Sequence, residues 1–203
     1  QEADYRFGFF DATSGGGLNL AMLLSGLSPL EMQARWRDIK LHRSLSLMPL
    51  SSYLRRKDCI AMGSADGFRD YVLPHLGIDL ALVALADGVT GSFNVLDYKR
   101  KLVTEFPHTA MDEDLLIAGL SLPGVMPPVP KGEELYLDAA FVQDANLMVA
   151  VRAGADELWV LWCLGNTPEY EGGALNAYVQ MLEMAAHGAL HRELREIAEL
   201  NAR

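Results

Sequence analysis

Residues 7–24 read FGFFDATSGGGLNLAMLL, and this stretch decides the fold more than any other part of the chain. The apolar, aromatic segment from Phe7 to Ala12 predicts a short strand, and the apolar segment from Leu18 to Leu24 predicts a helix. Ser14 and three glycines lie between them. The sequence therefore predicts a strand, a tight turn that carries Ser14, and a helix.

The turn around Ser14 has the composition of a nucleophile elbow. A serine on a strand-to-helix turn adopts a strained backbone, and the residues two before and two after it come close together. Both must be small, and Ala12 and Gly16 are small. The helix would direct its positive end at Ser14, with the backbone N–H of Gly15 as the natural donor to an oxyanion. We therefore predict an elbow made of Ala12, Thr13, Gly15 and Gly16 around Ser14.

The same residues also fit simpler turns. A glycine-rich turn without chemistry remains one interpretation. A phosphate-binding loop fits less well, because no Lys follows the glycines and the dinucleotide-binding glycine spacing is absent.

The rest of the chain predicts an α/β fold. Two continuous apolar runs, 78–86 and 158–164, predict buried strands, and a shorter strand at 135–137 ends at Asp138. Helices are predicted at 29–39 with Ser28 as cap, at 66–73 before Pro74, and at 112–120, 145–152 and 176–200. Such alternation favours a mostly parallel sheet covered by helices on both faces, in one domain spanning residues 1–203.

The net charge and the composition limit the classes of partner that the protein is expected to bind. The formal net charge of −10 disfavours nucleic acid, and also anionic membranes unless a local patch reverses the field. Two basic stretches, 35–43 and 55–57, are either solvated faces or landing patches for anionic lipid headgroups. No apolar run reaches the length of a membrane span.

Cysteine and histidine usage predicts neither disulfides nor a metal. Cys59 and Cys163 do not make a disulfide framework, and the apolar run around Cys163 predicts a buried thiol. A reducing compartment is compatible with this usage, so a cytoplasmic location is slightly favoured over an otherwise open choice. No Cys/His group has metal-ligand spacing, and no metal or organic cofactor is expected.

Several blocks in sequence order resemble the patatin-like phospholipase family. Residues 13–19 and 23–29 resemble the family's elbow and the turn that follows it, and residues 122–129 resemble its Pro-Pro-Val segment. Residues 136–140 and 144–146 resemble its Tyr-x-Asp-Gly-Gly and Asn-x-Pro segments. Residues 153–158 resemble the Gly-Ala-Asp segment that precedes a strand of the family. The resemblance implies a three-layer sandwich with a Ser–Asp dyad, in which Ser14 is the nucleophile and Asp138 the base.

The resemblance also implies an activity, which is hydrolysis of a fatty acyl ester in a phospholipid or glyceride through an acyl-serine. Such a substrate implies transient contact with a membrane surface, whereas the oligomeric state is unknown. Two features depart from the family pattern. Ala139 and Ala140 replace two glycines, and no glycine-rich oxyanion loop precedes Ser14 in this numbering. That loop is expected either upstream of Gln1 or not at all, in which case the oxyanion hole is incomplete.

Three alternatives remain open. A Ser–Asp–His triad would use His187 or His191 in place of the dyad. Asp87, which also follows an apolar run, is a competing base. A degenerate, non-hydrolytic module that binds lipids or proteins would explain the alanine replacements and the missing loop. Separately, the apolar segment 45–54 is either ordinary core or an acyl channel or lid.

Overall fold

The computed structural model describes residues 6–44, 46–48 and 61–202. The chain begins with β1 (Phe9–Thr13), α1 (Gly15–Leu24) and α2 (Pro29–Asp38). The strand–turn–helix order predicted around Ser14 is therefore confirmed. Helix α2 begins with a capping box, in which the Ser28 hydroxyl accepts from the backbone N–H of Glu31 and the Glu31 carboxylate accepts from the N–H of Ser28. Both backbone donors are satisfied, which explains why the helix begins where Ser28 and Pro29 predict.

Short elements connect α2 to the sheet. They are α3 (Leu41–Ser44), the antiparallel pair β2 (Ser46–Leu47) and β3 (Gly63–Ser64), a π-helical turn (Phe68–Val72), α4 (Leu73–Leu76) and α5 (Leu80–Leu85). The helix predicted to stop before Pro74 instead continues through it. Pro74 lies in the first turn of α4, which directly follows the π-helical turn, where the regular ladder of i→i−4 hydrogen bonds is already interrupted. Most of the 45–54 segment and the basic stretch 55–57 lie outside the described residues.

The strand predicted at 78–86 is wrong, because this run forms α5. The side chain of Asp79 caps it by accepting hydrogen bonds from the backbone N–H groups of Ala81 and Leu82. Alanine and leucine are strong helix formers, and a short apolar run alone does not distinguish a strand from a buried helix.

A five-stranded sheet is organised around β4. Its strands are β1, β4 (Thr90–Asp97), β5 (Leu102–Pro107), β6 (Val129–Lys131) and β7 (Glu134–Asp138). β1 and β4 pair in parallel, whereas β4 pairs antiparallel with β5 and with β7, and β6 pairs antiparallel with β7. The α/β class is confirmed, and the sheet is mixed. Its parallel part is the β1–β4 pair, and Ser14 directly follows β1. The β4–β5 and β6–β7 links are too short for the crossover that parallel pairing needs.

The remaining elements are a 3₁₀ turn (His108–Ala110), α6 (Glu113–Ala118), α7 (Ala140–Gln143), α8 (Leu147–Arg152) and α9 (Ala174–Asn201). The helices predicted at 112–120, 145–152 and 176–200 are confirmed. The strand predicted at 158–164 is wrong: the segment forms no regular element and Leu161 is 92% exposed. Cys163 is likewise exposed rather than buried.

Helices cover both faces of the sheet. On one face, Phe93 and Val95 of β4 pack in the main core with apolar residues of α1 and α6. On the other face, Leu96 of β4 and Leu137 of β7 pack against Val142 of α7, and α9 packs on α7. This arrangement has the three layers of the predicted sandwich. Among the described residues, no helix has the length and apolarity needed to cross a membrane.

Candidate active site

Ser14 occupies the junction between β1 and α1. Its backbone has φ 53° and ψ −129°, a left-handed conformation that residues with a side chain rarely adopt. The N–H of Gly17 donates to the Ser14 carbonyl at 2.9 Å, which closes the first turn of α1. Such strain persists only where the surrounding structure enforces it, and it concentrates at functional sites.

The small residues flanking Ser14 lie close together, as the elbow requires. A Cβ placed on Gly16 would contact the Cβ of Ala12 at 3.8 Å, and one on Gly17 would contact the ring of Phe93 at 3.5 Å. Gly15 and Gly16 are exposed at the beginning of α1. The helix therefore presents its N-terminal end, with its positive partial charge, beside Ser14.

Ser14 and Asp138 are hydrogen-bonded to each other. The Ser14 hydroxyl donates to Asp138 Oδ2 at 2.6 Å. Asp138 Oδ1 accepts from the backbone N–H of Ala140 at 2.9 Å, and the Asp138 N–H donates to the carbonyl of Ser121 at 3.1 Å. Both the carboxylate and the backbone of Asp138 are thus held, with one oxygen directed at the serine.

Strand β4 brings these two residues together. It has two edges, and β5 occupies one of them along Ser92–Asp97. β1 and β7 therefore share the other edge, with Thr13 opposite Asn94 and Asp138 opposite Val95. The carboxyl ends of β1 and β7 meet on adjacent residues of β4, and this brings Ser14 and Asp138 together although they are 124 positions apart in the chain.

Burial makes Asp138 a stronger base than a solvated carboxylate. Its side chain is 0% exposed, and desolvation raises its pKa from 3.8 to about 7, against the opposing effects of the Ser14 and Ala140 hydrogen bonds. The neighbouring charge of Asp144 raises the pKa of Asp138 further, and burial raises the pKa of Asp144 itself to about 6. A general base with a pKa near 7 is suited to neutral pH.

The competing candidates have other contacts. Asp87 is exposed and accepts from the N–H of Gly88 at 2.8 Å. His187 lies on α9, within 3.0 Å of the carbonyl of Gly165, and its ring meets that of Trp162 edge to face. His191 lies one turn further along the same helix. Within the described part of the chain, the hydroxyl of Ser14 is hydrogen-bonded to Asp138 and not to any of these three.

The alanines that replace the family's glycines are accommodated without strain. Ala139 has φ −81° and ψ −8°, an ordinary helical conformation, so a Cβ there carries no left-handed penalty. Ala139 and Ala140 are buried, and the N–H of Ala140 donates to Asp138.

Comparison with known families decides the classification. The model of the patatin-like phospholipase family matches residues 1–151. The chain belongs to the patatin-like phospholipase family. No curated protein matches it. The patatin-like match includes Ser14, Asp138 and every strand of the five-stranded sheet, whereas α9 lies beyond it. Membership supports lipid acyl hydrolysis as the reaction class.

Several polar residues around the site were not predicted from the sequence. Asn94, Asn146 and Ser121 are all buried: Asn94 contacts Thr13, Ser121 contacts Asp138, and Asn146 contacts Asn94. The alternation of polar Ser92 and Asn94 with apolar Phe93 and Val95 is the pattern that could have revealed β4. In the ranges that the structure describes, no group of three or more His, Cys, Asp or Glu residues is arranged to hold a metal ion.

Proposed function

We propose that this protein is a serine-dependent lipid acyl hydrolase that cleaves a fatty acyl ester of a phospholipid or glyceride. The observation that carries the proposal is the 2.6 Å hydrogen bond from the Ser14 hydroxyl to the buried carboxylate of Asp138 at the N-terminal end of α1. Membership of the patatin-like phospholipase family supports the reaction class and the lipid substrate.

In the proposed reaction, Asp138 removes the proton of the Ser14 hydroxyl while the serine oxygen attacks the ester carbonyl carbon. The Gly15 N–H and the positive end of α1 stabilise the oxyanion that forms. Asp138 then returns the proton to the departing alcohol, which leaves an acyl-Ser14 ester. Asp138 next takes a proton from a water molecule, which attacks this ester, and returns that proton to the Ser14 oxygen as the acyl–oxygen bond breaks and the fatty acid is released.

We treat residues 1–203 as one catalytic domain, with α9 as part of it. The ring of Tyr178 on α9 meets that of Phe141 on α7 edge to face, with centroids 5.5 Å apart. The Tyr178 hydroxyl donates to the carbonyl of Pro123 at 2.9 Å, on the loop that follows Ser121. The helix beyond the family match therefore packs on both segments that hold Asp138.

Contact with a lipid surface is part of the proposal, and the basic stretch 35–43 offers it the exposed cations Arg37 and Lys40, whereas Arg35 and Arg43 contact other parts of the protein. The Arg35 guanidinium donates to the carbonyl of His75 at 3.0 Å, and that of Arg43 lies 4.1 Å from the centre of the Tyr71 ring. These two charges already have structural partners. Comparing hydrolysis of phosphatidylcholine vesicles with that of a triglyceride emulsion would identify the substrate class.

Labelling with a fluorophosphonate probe tests the proposal directly, because the probe reacts with activated serines. The wild type is expected to be labelled, Ser14→Ala to be unlabelled, and Asp138→Asn to be labelled at least about a hundredfold more slowly, as for loss of a general base. Asp87→Asn is the matched control and should be labelled at the wild-type rate. Reversal of the two aspartate results would make Asp87 the base.

Two further outcomes separate the alternatives. Labelling that is lost on replacing His187 or His191 would indicate a triad, because a Ser–Asp dyad keeps its activity without either histidine. A folded wild type that neither reacts with the probe nor hydrolyses either lipid would contradict the proposal and favour the non-catalytic binding module.

A further inference from the structure

A buried amide lies behind the elbow, on the face of the sheet opposite the main core. Asn94 is 2% exposed and uses both ends of its side chain. Its Nδ2 donates to Asp11 Oδ2 at 2.7 Å and to Thr13 Oγ1 at 3.1 Å, and its Oδ1 accepts from Asn146 Nδ2 at 3.2 Å. Asn94 thus holds the residue that immediately precedes Ser14.

The same network reaches the segment that carries Asp138. Asn146, which is also buried, accepts at its Oδ1 from Gln143 Nε2 at 2.9 Å. Gln143 ends α7, and α7 begins two residues after Asp138, at Ala140, whose N–H donates to Asp138. A continuous path therefore runs from Thr13 through Asn94, Asn146 and Gln143 to Asp138, and the Ser14–Asp138 hydrogen bond closes it into a ring.

We infer that Asn94 is a positioning residue for the dyad, which acts through Thr13 and Asn146 to fix the distance between the Ser14 hydroxyl and the Asp138 carboxylate. The inference rests on the proposed function. Asn94 touches neither the reacting atoms nor the substrate in this assignment. Its effect is therefore on the rate of the chemical step and not on substrate binding.

The surroundings of Asn94 require an amide. Asp11 and Thr13 both accept hydrogen bonds from Asn94. The Nδ2 of Asn146 donates one hydrogen to Glu105 at 2.8 Å and the other to Asn94 Oδ1. An aspartate of the same shape would offer no donor when ionised and would place a second carboxylate beside that of Asp11. A leucine of similar volume would leave several buried polar groups unsatisfied. The carboxamide satisfies all three partners at once.

Two substitutions test the inference from opposite ends of one hydrogen bond. Asn94→Asp removes the donor, and Thr13→Val removes the acceptor with almost no change of shape. Each is expected to lower kcat for p-nitrophenyl butyrate by about tenfold to a hundredfold, the loss typical of a misplacement near 1 Å, with KM changed less than about twofold. Thr13→Ser keeps the hydroxyl and should recover most of kcat. The double variant should be no slower than the slower single variant, because both remove the same contact.

Asp97→Asn is the matched control, since Asp97 is equally buried on the same strand but bonds to Arg100 and the turn after β4. The Asp97→Asn substitution should lower the stability of the protein and leave kcat unchanged. The inference would be overturned by full kcat in folded Thr13→Val. It would also be overturned if Asp97→Asn lost as much kcat as Asn94→Asp at equal stability. In either case, activity of the wild type would still support the proposed function. If Asn94→Asp does not fold, the comparison of kcat between Thr13→Val and Thr13→Ser tests the inference. A wild type inert to both fluorophosphonate and ester would overturn both proposals.

Discussion

Replacing Asp138 with Asn is expected to stabilise the folded protein at neutral pH while it removes the proposed base. The folded-state pKa of Asp138 is raised from 3.8 to about 7 because the side chain is desolvated. A carboxyl group with a raised folded pKa binds its proton more tightly in the folded state than in the unfolded state. It therefore contributes stability that is fully present below pH 3.8 and is lost as the pH rises through 7.

The magnitude follows from the size of the shift. Each pKa unit corresponds to 1.36 kcal/mol, so a rise from 3.8 to about 7 corresponds to about 4 kcal/mol lost from the wild type by pH 8. The Ser14 and Ala140 hydrogen bonds favour the ionised form and are already included in this net shift. An asparagine keeps an acceptor for the Ala140 N–H and carries no charge to desolvate. The variant should therefore exceed the wild type by about 4 kcal/mol at pH 8 and by less than about 1 kcal/mol at pH 4.

Urea denaturation of both proteins between pH 4 and pH 8 measures this difference. The free energy of unfolding of Asp138→Asn minus that of the wild type should grow by about 1.4 kcal/mol per pH unit between pH 4 and pH 7. Other carboxyl groups with a raised pKa, such as that of Asp11, titrate in both proteins, so their contributions to the difference in unfolding free energy largely cancel. A difference that does not change with pH, or a variant that is less stable at pH 8, would refute the reasoning that a buried, ionised carboxylate stands beside Ser14.

Three other predictions follow from the geometry of the site. The rate of fluorophosphonate labelling should be half-maximal near pH 7 and fall about tenfold per pH unit below it, because only ionised Asp138 accepts the Ser14 proton; a flat profile from pH 5 to pH 8 would contradict this. Gly16→Val should lose most labelling, because its methyl groups would meet Ala12, whose Cβ lies 3.8 Å from a Cβ at position 16, whereas Gly16→Ala meets only ordinary contact; equal labelling of the two variants would argue against a tight elbow. Tyr178→Phe should lose about 1 kcal/mol of stability in urea with its hydrogen bond to Pro123, while Tyr170→Phe, at a side chain 79% exposed, should be unchanged.

The sequence predicts the parts of the site that depend on local chemistry. Small residues on either side of Ser14 and an apolar run after it are enough to predict a strand, an elbow and a helix, because the elbow's sterics involve only neighbours. The start of α2 is equally local, since Ser28 and Glu31 satisfy each other within one turn. These predictions needed no knowledge of the rest of the fold.

One error comes from a local cap that was overlooked, and the others arise where the answer depends on contacts distant in sequence. The run at 78–86 is apolar enough for a strand or a helix, and the cap supplied by Asp79 selects the helix. The run at 158–164 is apolar yet largely exposed, so its composition predicted burial that packing does not provide. Strand β4 was missed because it lacks the uniform apolar pattern of a parallel strand: its second face carries Ser92 and Asn94, whose partners lie on other elements.

The missed strand is also the one on which the site depends. Asp138 could be proposed as the base from family resemblance, but nothing local brings it to Ser14. That proximity requires one strand with a parallel neighbour ending at Thr13 and an antiparallel neighbour ending at Asp138, on adjacent residues of the same edge. An antiparallel β7 is therefore necessary: a parallel strand in its place would direct its carboxyl end away from β1. The mixed sheet, in which the prediction of parallel strands holds only for β1 and β4, is thus the arrangement that lets a serine and an aspartate from opposite ends of the family-matched region share one hydrogen bond.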